Sequence, residues 1–240
     1  MKRKGIIEFV DMSNEMPKEL YPRPAKNFIP DWYKNTSSYK KDIKEAYMDE
    51  RGFSSATIKK CMPVFDAMTA GYILVSPSDV QVSGSSINKK FTWPSKGTIE
   101  WHARWQVGEF PGIPESANNL PKWMNPWSIR TAPGYSCMFL NPMNRNDSKF
   151  TCFEGIVDTD KFYAPVNFPF YLNDESWNGI IPAGTPIIQV IPFKRESYQH
   201  TISCEKDSNN SSNIKKVTSM IDSIFFNAYK NFFWQKKEYN

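Results

Sequence analysis

Trp127-Ser-Ile-Arg-Thr-Ala-Pro-Gly-Tyr-Ser-Cys-Met-Phe-Leu-Asn141 decides the fold class. Two short runs rich in β-branched, aromatic and aliphatic residues flank Ala-Pro-Gly, where Pro and Gly together mark a turn. The rhythm continues downstream. Runs of this kind at 127–131, 135–141, 151–157, 166–171 and 187–193 alternate with turn residues, the spacing of a sandwich or barrel. No strand–helix–strand alternation appears, which argues against a parallel α/β sheet. Upstream, Gly97-Thr-Ile-Glu-Trp-His-Ala-Arg-Trp105 alternates apolar and polar residues and predicts another strand. Gly71-Tyr-Ile-Leu-Val-Ser-Pro-Ser-Asp-Val-Gln-Val82 predicts two strands around Pro77-Ser78. Residues 106–126, with Pro111, Pro114, Pro121 and Pro126, read as a loop. In that reading Trp123 and Trp127 either present an aromatic contact surface or pack down over the sheet.

The ends of the chain have a different texture. Gly5-Ile-Ile-Glu-Phe-Val-Asp11 predicts a short strand, and Pro17, Pro22, Pro24 and Pro30 then predict an extended arm, because Pro fixes φ and removes a donor. Residues 31–49 predict a helix carrying Trp32, Tyr33, Ile43 and Tyr47, and a helical turn is expected at 55–67. Residues 205–213 are polar and rich in Ser and Asn, a linker by composition. Beyond them Ile214, Val217, Ile221, Ile224 and Ala228 recur at steps of three and four. That is one apolar helical stripe, lengthened by Phe225, Phe232 and Phe233. It either docks on its own domain or forms an oligomerising seam. The division expected is an N-terminal arm over 1–56, a β-rich core over 57–204, and a linker with an amphipathic helix over 205–240. The fold class is mainly β, a barrel or sandwich with an extended N-terminal arm and a C-terminal α-helix.

Composition excludes several function classes. With 240 residues, 40% hydrophobic and 23% charged, the chain is long enough to fold without staples. The net charge of +5 lies mostly in Lys2, Arg3, Lys4 and the tail lysines 215, 216, 230, 236 and 237. Solvated ends explain it, and nucleic acid is not expected as a partner. Cys61, Cys137, Cys152 and Cys204 form no close pair and only two His exist, so a structural zinc is not expected and the thiols are expected to be reduced. No apolar run approaches a membrane span and no secretory leader is expected.

Four segments, in order, resemble the dUTPase and dCTP-deaminase superfamily, which has a β-clip fold. Ala70-Gly-Tyr is similar to the start of its first motif, Pro133-Gly-Tyr to the entry of its second, Gly155-Ile-Val-Asp to its third, and Gly184-Thr-Pro-Ile-Ile-Gln to its fourth. The resemblance spans 64–195, with a long insertion between the first two segments. Trp127 to Ser136, together with Gly155-Ile-Val-Asp-Thr-Asp160, also resembles a family of tailed-phage proteins without an assigned function. These likenesses imply a β-clip scaffold, host cytoplasm or virion as its place, and a symmetric oligomer.

A dUTPase-like enzyme of this superfamily cleaves a nucleoside triphosphate between its α- and β-phosphates, using Mg²⁺, a carboxylate, and cationic or hydroxyl groups on the phosphates. By resemblance Asp158 takes the carboxylate position, and Gln189 and Arg145 are candidates for the phosphates. Glu154 is the candidate proton shuttle of a metal-free deaminase. Asp158, Gln189 and Glu154 each have a structural alternative, as a turn Asp, a ladder-capping amide and a solvated strand residue, and Arg145 is displaced from the motif position. The chain departs from the pattern elsewhere. Ile73 replaces the first-motif Asp, Met143-Asn144 replaces Arg-Ser, Lys161 fills the aromatic slot with Phe162 one residue late, and no Gly follows Gly184 for the closing arm. A zinc-deaminase signature is absent, His102 has no H-x-D partner, and no motif supports a Cys–His pair. The expected function is therefore non-enzymatic binding or assembly, without a cofactor, on a dUTPase-like scaffold with degraded motifs. Its expected partners are other protein subunits, in a homo-oligomer or among virion neighbours, through Ile214, Val217, Ile221, Ile224 and Phe225. The alternative is a Mg²⁺-dependent deoxynucleoside triphosphate hydrolase or a deaminase.

Overall fold

The strands follow the chain as β1 (Ile7–Asp11), β2 (Arg23–Pro24), β3 (Tyr72–Val75), β4 (Val80–Ser85), β5 (Asn88–Thr92), β6 (Ile99–Ala103), β7 (Asn119–Trp123), β8 (Trp127–Thr131), β9 (Tyr135–Leu140), β10 (Phe150–Cys152), β11 (Gly155–Val157), β12 (Phe168–Leu172), β13 (Gly179–Ile181) and β14 (Pro186–Lys194). Among the described residues three α-helices accompany them: α1 (Asp31–Asn35), α2 (Met62–Thr69) and α3 (Ser211–Ile224). This is a computed structural model, and it describes residues 7–86, 88–94, 97–110, 113, 119–204, 210–224 and 227–240, with the backbone alone for 222–224. The protein is mainly β.

The strands form four sheets, ordered β1-β8, β10-β12-β7-β6, β11-β9-β14-β3-β2 and β13-β4-β5. Every described pairing is antiparallel, as the lack of strand–helix–strand alternation predicts. Two compact units are present. One holds residues 1–28, 69–195 and 239–240, and the other holds 29–68 and 196–238.

In the first unit burial follows strand position. β12 alternates, with Phe168, Phe170 and Leu172 buried and Pro169 and Tyr171 less so. β14 is buried almost continuously from Ile187 to Ile191, because it is the central strand between β9 and β3. Trp123 stacks on Phe170 at 5.0 Å, and Phe150 packs against both rings. Such aromatic pairs add to the transfer energy of burying large side chains.

Several expectations need correction. The loop expected over 106–126 contains β7, which pairs with β6 on one side and β12 on the other. Pro121 hid it, because Pro in a sequence argues against a central strand. Trp123 and Trp127 are 1% and 4% exposed, so both pack down rather than form a contact surface. The run at 151–157 splits at Phe153-Glu154 into β10 and β11, which belong to different sheets. The extended arm is pinned by β1 on β8 and by Arg23–Pro24 on β3, with Ala25 buried against Ile73 and Val75.

In the second unit, the helix expected over 31–49 stops at Asn35. The Thr36 hydroxyl donates to Trp32 O at 2.6 Å and the chain then turns extended, a side-chain bond that competes with the helix. The segment beyond forms isolated bridges, Tyr39 with Ala56 and Met48 with Ser54. The stripe residues Ile214, Val217 and Ile221 lie on α3 and are 45%, 37% and 43% exposed. The side chain of Ile224 and all of Phe225 lie outside the described residues. Among the described helices none is long and apolar enough to cross a membrane.

Candidate functional site

The strand order β11-β9-β14 places the sequence-derived residues. Asp158 directly follows β11, whose Val157 pairs with Cys137 near the start of β9. Gln189 lies in β14 opposite Leu140, at the far end of β9. From Ser136 to Leu140 the strand rises about 13 Å, so the two sites sit at opposite ends of β9.

At the first end three segments meet around one guanidinium. Ser136 Oγ donates to Asp158 Oδ1 at 2.7 Å, and Arg195 Nη1 lies 3.0 Å from the same oxygen. Arg195 also grips Asp160 with both arms, Nη1 to Oδ1 at 2.8 Å and Nη2 to Oδ2 at 2.6 Å. Gly134 N donates to Asp160 Oδ2 at 2.8 Å. A bidentate Arg–carboxylate pair with an added backbone donor is among the stronger charge-assisted arrangements. The carboxylates differ in setting, Asp160 being 5% and Asp158 59% exposed at the side chain. The Arg195 bonds, helped by Gly134, hold the Asp160 carboxyl at about 2. The Ser136 hydroxyl, with Arg195, holds Asp158 below the usual carboxylate range. Both are ionised at neutral pH. Asp158 also opens a turn, its carbonyl accepting from Lys161 N and Phe162 N at 2.9 Å.

At the other end Gln189 is buried. Its Oε1 accepts from Met143 N at 2.9 Å and its Nε2 donates to Ala70 O at 2.7 Å. The amide stitches the start of β3 to the loop after β9. Arg145 lies in that loop, with Nη1 donating to Phe28 O at 3.1 Å and Nη2 reaching Asp147 at 3.4 Å. Glu154 Oε1 accepts from Asn141 N and Nδ2 at 2.9 and 3.1 Å, holding the bend between β10 and β11. Within one chain the structure brings Gln189 and Arg145 to the same end of β9 and leaves Asp158 at the other.

Sequence reasoning missed Arg195 and Asp160. Their signal is a cation closing a long apolar strand and two Asp flanking a Thr. Pairing them requires the strand order, since Asp160 and Arg195 are 35 residues apart.

The carboxylate pair does not fit Mg²⁺. Arg195 already pairs with both carboxylates, and a divalent cation beside that guanidinium is repelled. Among the described residues no group of three or more His, Cys, Asp or Glu is placed to hold a metal. Burial pushes the Cys137 thiol up to about 11 and Cys152 well above the usual range, the opposite of an activated nucleophile. His102 Nδ1 lies 3.1 Å from Gln106 Oε1.

No protein-family model and no curated protein matches the chain. Among solved structures, the chain is similar to a point mutant of the dUTPase of Staphylococcus bacteriophage 80alpha with dUpNHpp. That likeness has 11% sequence identity and a TM-score of 0.31, covering 74% of this chain and 98% of that one.

Proposed function

We propose that the chain is a non-enzymatic binding or assembly protein on a β-clip-type scaffold, acting in the host cytoplasm or the virion and needing no cofactor. One observation carries this reading. Asp158, Gln189 and Arg145 lie at two ends of β9, and each is bound to its own scaffold. A triphosphate site built within one chain needs these groups converging on one ligand. The partners proposed are other subunits, recruited through α3, where Ile214, Val217 and Ile221 form an exposed apolar stripe.

Incubation with each ribo- and deoxyribonucleoside triphosphate plus Mg²⁺, read by mass spectrometry, is expected to give neither monophosphate nor a deaminated product. Product from any of them ends the non-enzymatic reading. Ile214→Asp with Ile221→Asp in the full chain is expected to lower the mass seen by light scattering. Unchanged mass removes α3 from the assembly role.

The hydrolase or deaminase reading keeps one observation in its favour. Asp158 is an ionised carboxylate that solvent reaches. Turnover abolished by Asp158→Asn in a folded protein would establish it.

A further inference from the structure

A cleft of about 320 Å³ opens between β5 and the sheet that carries β6, β7 and β12. That volume falls in the range of small-molecule sites. Its floor is aromatic, with Phe91 and Phe170 buried edge to face at 5.8 Å. Trp101 of β6 lines one side, 44% exposed and braced by Phe91 at 5.7 Å. Asn88, Asn119 and Glu175 add polar groups to the lining from β5, β7 and the turn after β12. Among the described residues no hydrogen bond or ion pair engages the side chains of these three. Lys89 also faces the cleft, but its ammonium donates to Gly84 O at 3.0 Å, Trp177 O at 2.9 Å and Asn178 Oδ1 at 3.2 Å. All three of its hydrogens are committed.

We infer that this cleft binds a neutral saccharide, with one apolar ring face on Trp101 and ring hydroxyls on Asn88, Asn119 and Glu175. The chemistry follows from what is available. Two uncommitted amides offer both donors and acceptors, which is what vicinal hydroxyls require, and a carboxylate adds strong acceptors. An aromatic face beside them takes up the apolar side of a ring. Anionic ligands are disfavoured, because Lys89, the one cation lining the cleft among the described residues, has no donor left and Glu175 repels them. A nucleotide would stack equally well but would bring its phosphates against that carboxylate. The inference stands apart from the assembly reading, since neither the β9 sites nor α3 line this cleft.

The test uses the full chain with cellobiose, maltose and N,N′-diacetylchitobiose as probes, and dUMP and AMP as counter-probes. Binding is read by saturation-transfer NMR and by tryptophan fluorescence. At least one disaccharide is expected to bind, with about tenfold or greater weakening in Trp101→Ala. Trp105 is 83% exposed and outside the cleft, so Trp105→Ala is expected to leave affinity unchanged. If Trp101→Ala lowers the melting temperature, Asn88→Ala with Asn119→Ala decides, because it leaves the aromatic floor in place and is expected to weaken binding to a similar degree. The inference is overturned if no disaccharide binds, if a nucleotide binds in its stead, or if sugar binding survives both the Trp101 and the paired Asn substitutions.

Discussion

The two ends of β9 are fastened by opposite chemistry. At Ser136 the fastening is ionic and half open to water: Arg195 between Asp158 and Asp160. At Leu140 it is neutral and centred on a buried side chain: the Gln189 amide between Met143 N and Ala70 O. A buried neutral cross-link gains from low dielectric and is indifferent to pH and salt, but leaving its partners unpaired is costly. An exposed ionic one is screened and titratable, and contributes less. The difference sorts the sequence-derived candidates by role. Gln189, a candidate for the phosphates by resemblance, is the one most deeply built into the scaffold. Asp158, which fits a turn equally well, is the one a solute could reach.

The largest effect is expected just beside the amide. Gly71 has φ +68°, and a Cβ there would sit 2.0 Å from Val190 O on the adjacent β14. Gly71→Ala must move backbone in a central strand pair, at a cost of roughly 3–5 kcal/mol. Denaturant titration is expected to show a large fall in midpoint or no soluble protein, and an unshifted midpoint would mean β3 and β14 are not in this register. Gln189→Ala comes next. It orphans a part-buried N–H and a part-buried C=O and leaves a cavity where the buried side chain stood, a loss of about 2–4 kcal/mol, measurable in the same titration. A change under about 0.5 kcal/mol, as at ordinary surface positions, would make the neutral end of the comparison wrong.

The sequence carried the fold class because strand alternation and turn residues are local signals. The runs at Trp127–Thr131 and 135–141 emerge as β8 and β9 with almost the boundaries predicted. β7 was illegible because Pro121 masks it, and its place between β6 and β12 is a tertiary fact. The site was legible only in part for the same reason. Asp158 can be found from its neighbours in sequence, but its partner Arg195 arrives through the β11-β9-β14 order. Gly71 and Gln189 are both motif residues, yet nothing local says that the amide turns inward to Ala70 rather than outward to a ligand.

The smallest effects are expected at the ionic end, and pH separates them from the rest. Asp160 titrates at about 2 in the folded chain, below the ordinary unfolded carboxylate value of about 3.9. A depressed folded value means that the stabilisation is complete above the unfolded value and is lost as pH falls from about 4 through about 2. Melting temperature against pH should therefore drop along that acid limb in the parent protein, and drop less steeply in Asp160→Asn. Asp158 is lowered in the same direction but is far more exposed, so Asp158→Asn should flatten the limb less and shift the neutral-pH melting temperature least of all. Gln189→Ala should lower the whole curve without changing its acid slope. Salt sharpens the contrast, because molar NaCl screens the exposed Asp158–Arg195 pair more than the Asp160–Arg195 pair. If Asp158→Asn changed the acid limb as much as Asp160→Asn, the two carboxylates would be one coupled unit, and the freedom of Asp158 to meet a solute, on which the hydrolase reading depends, would be gone.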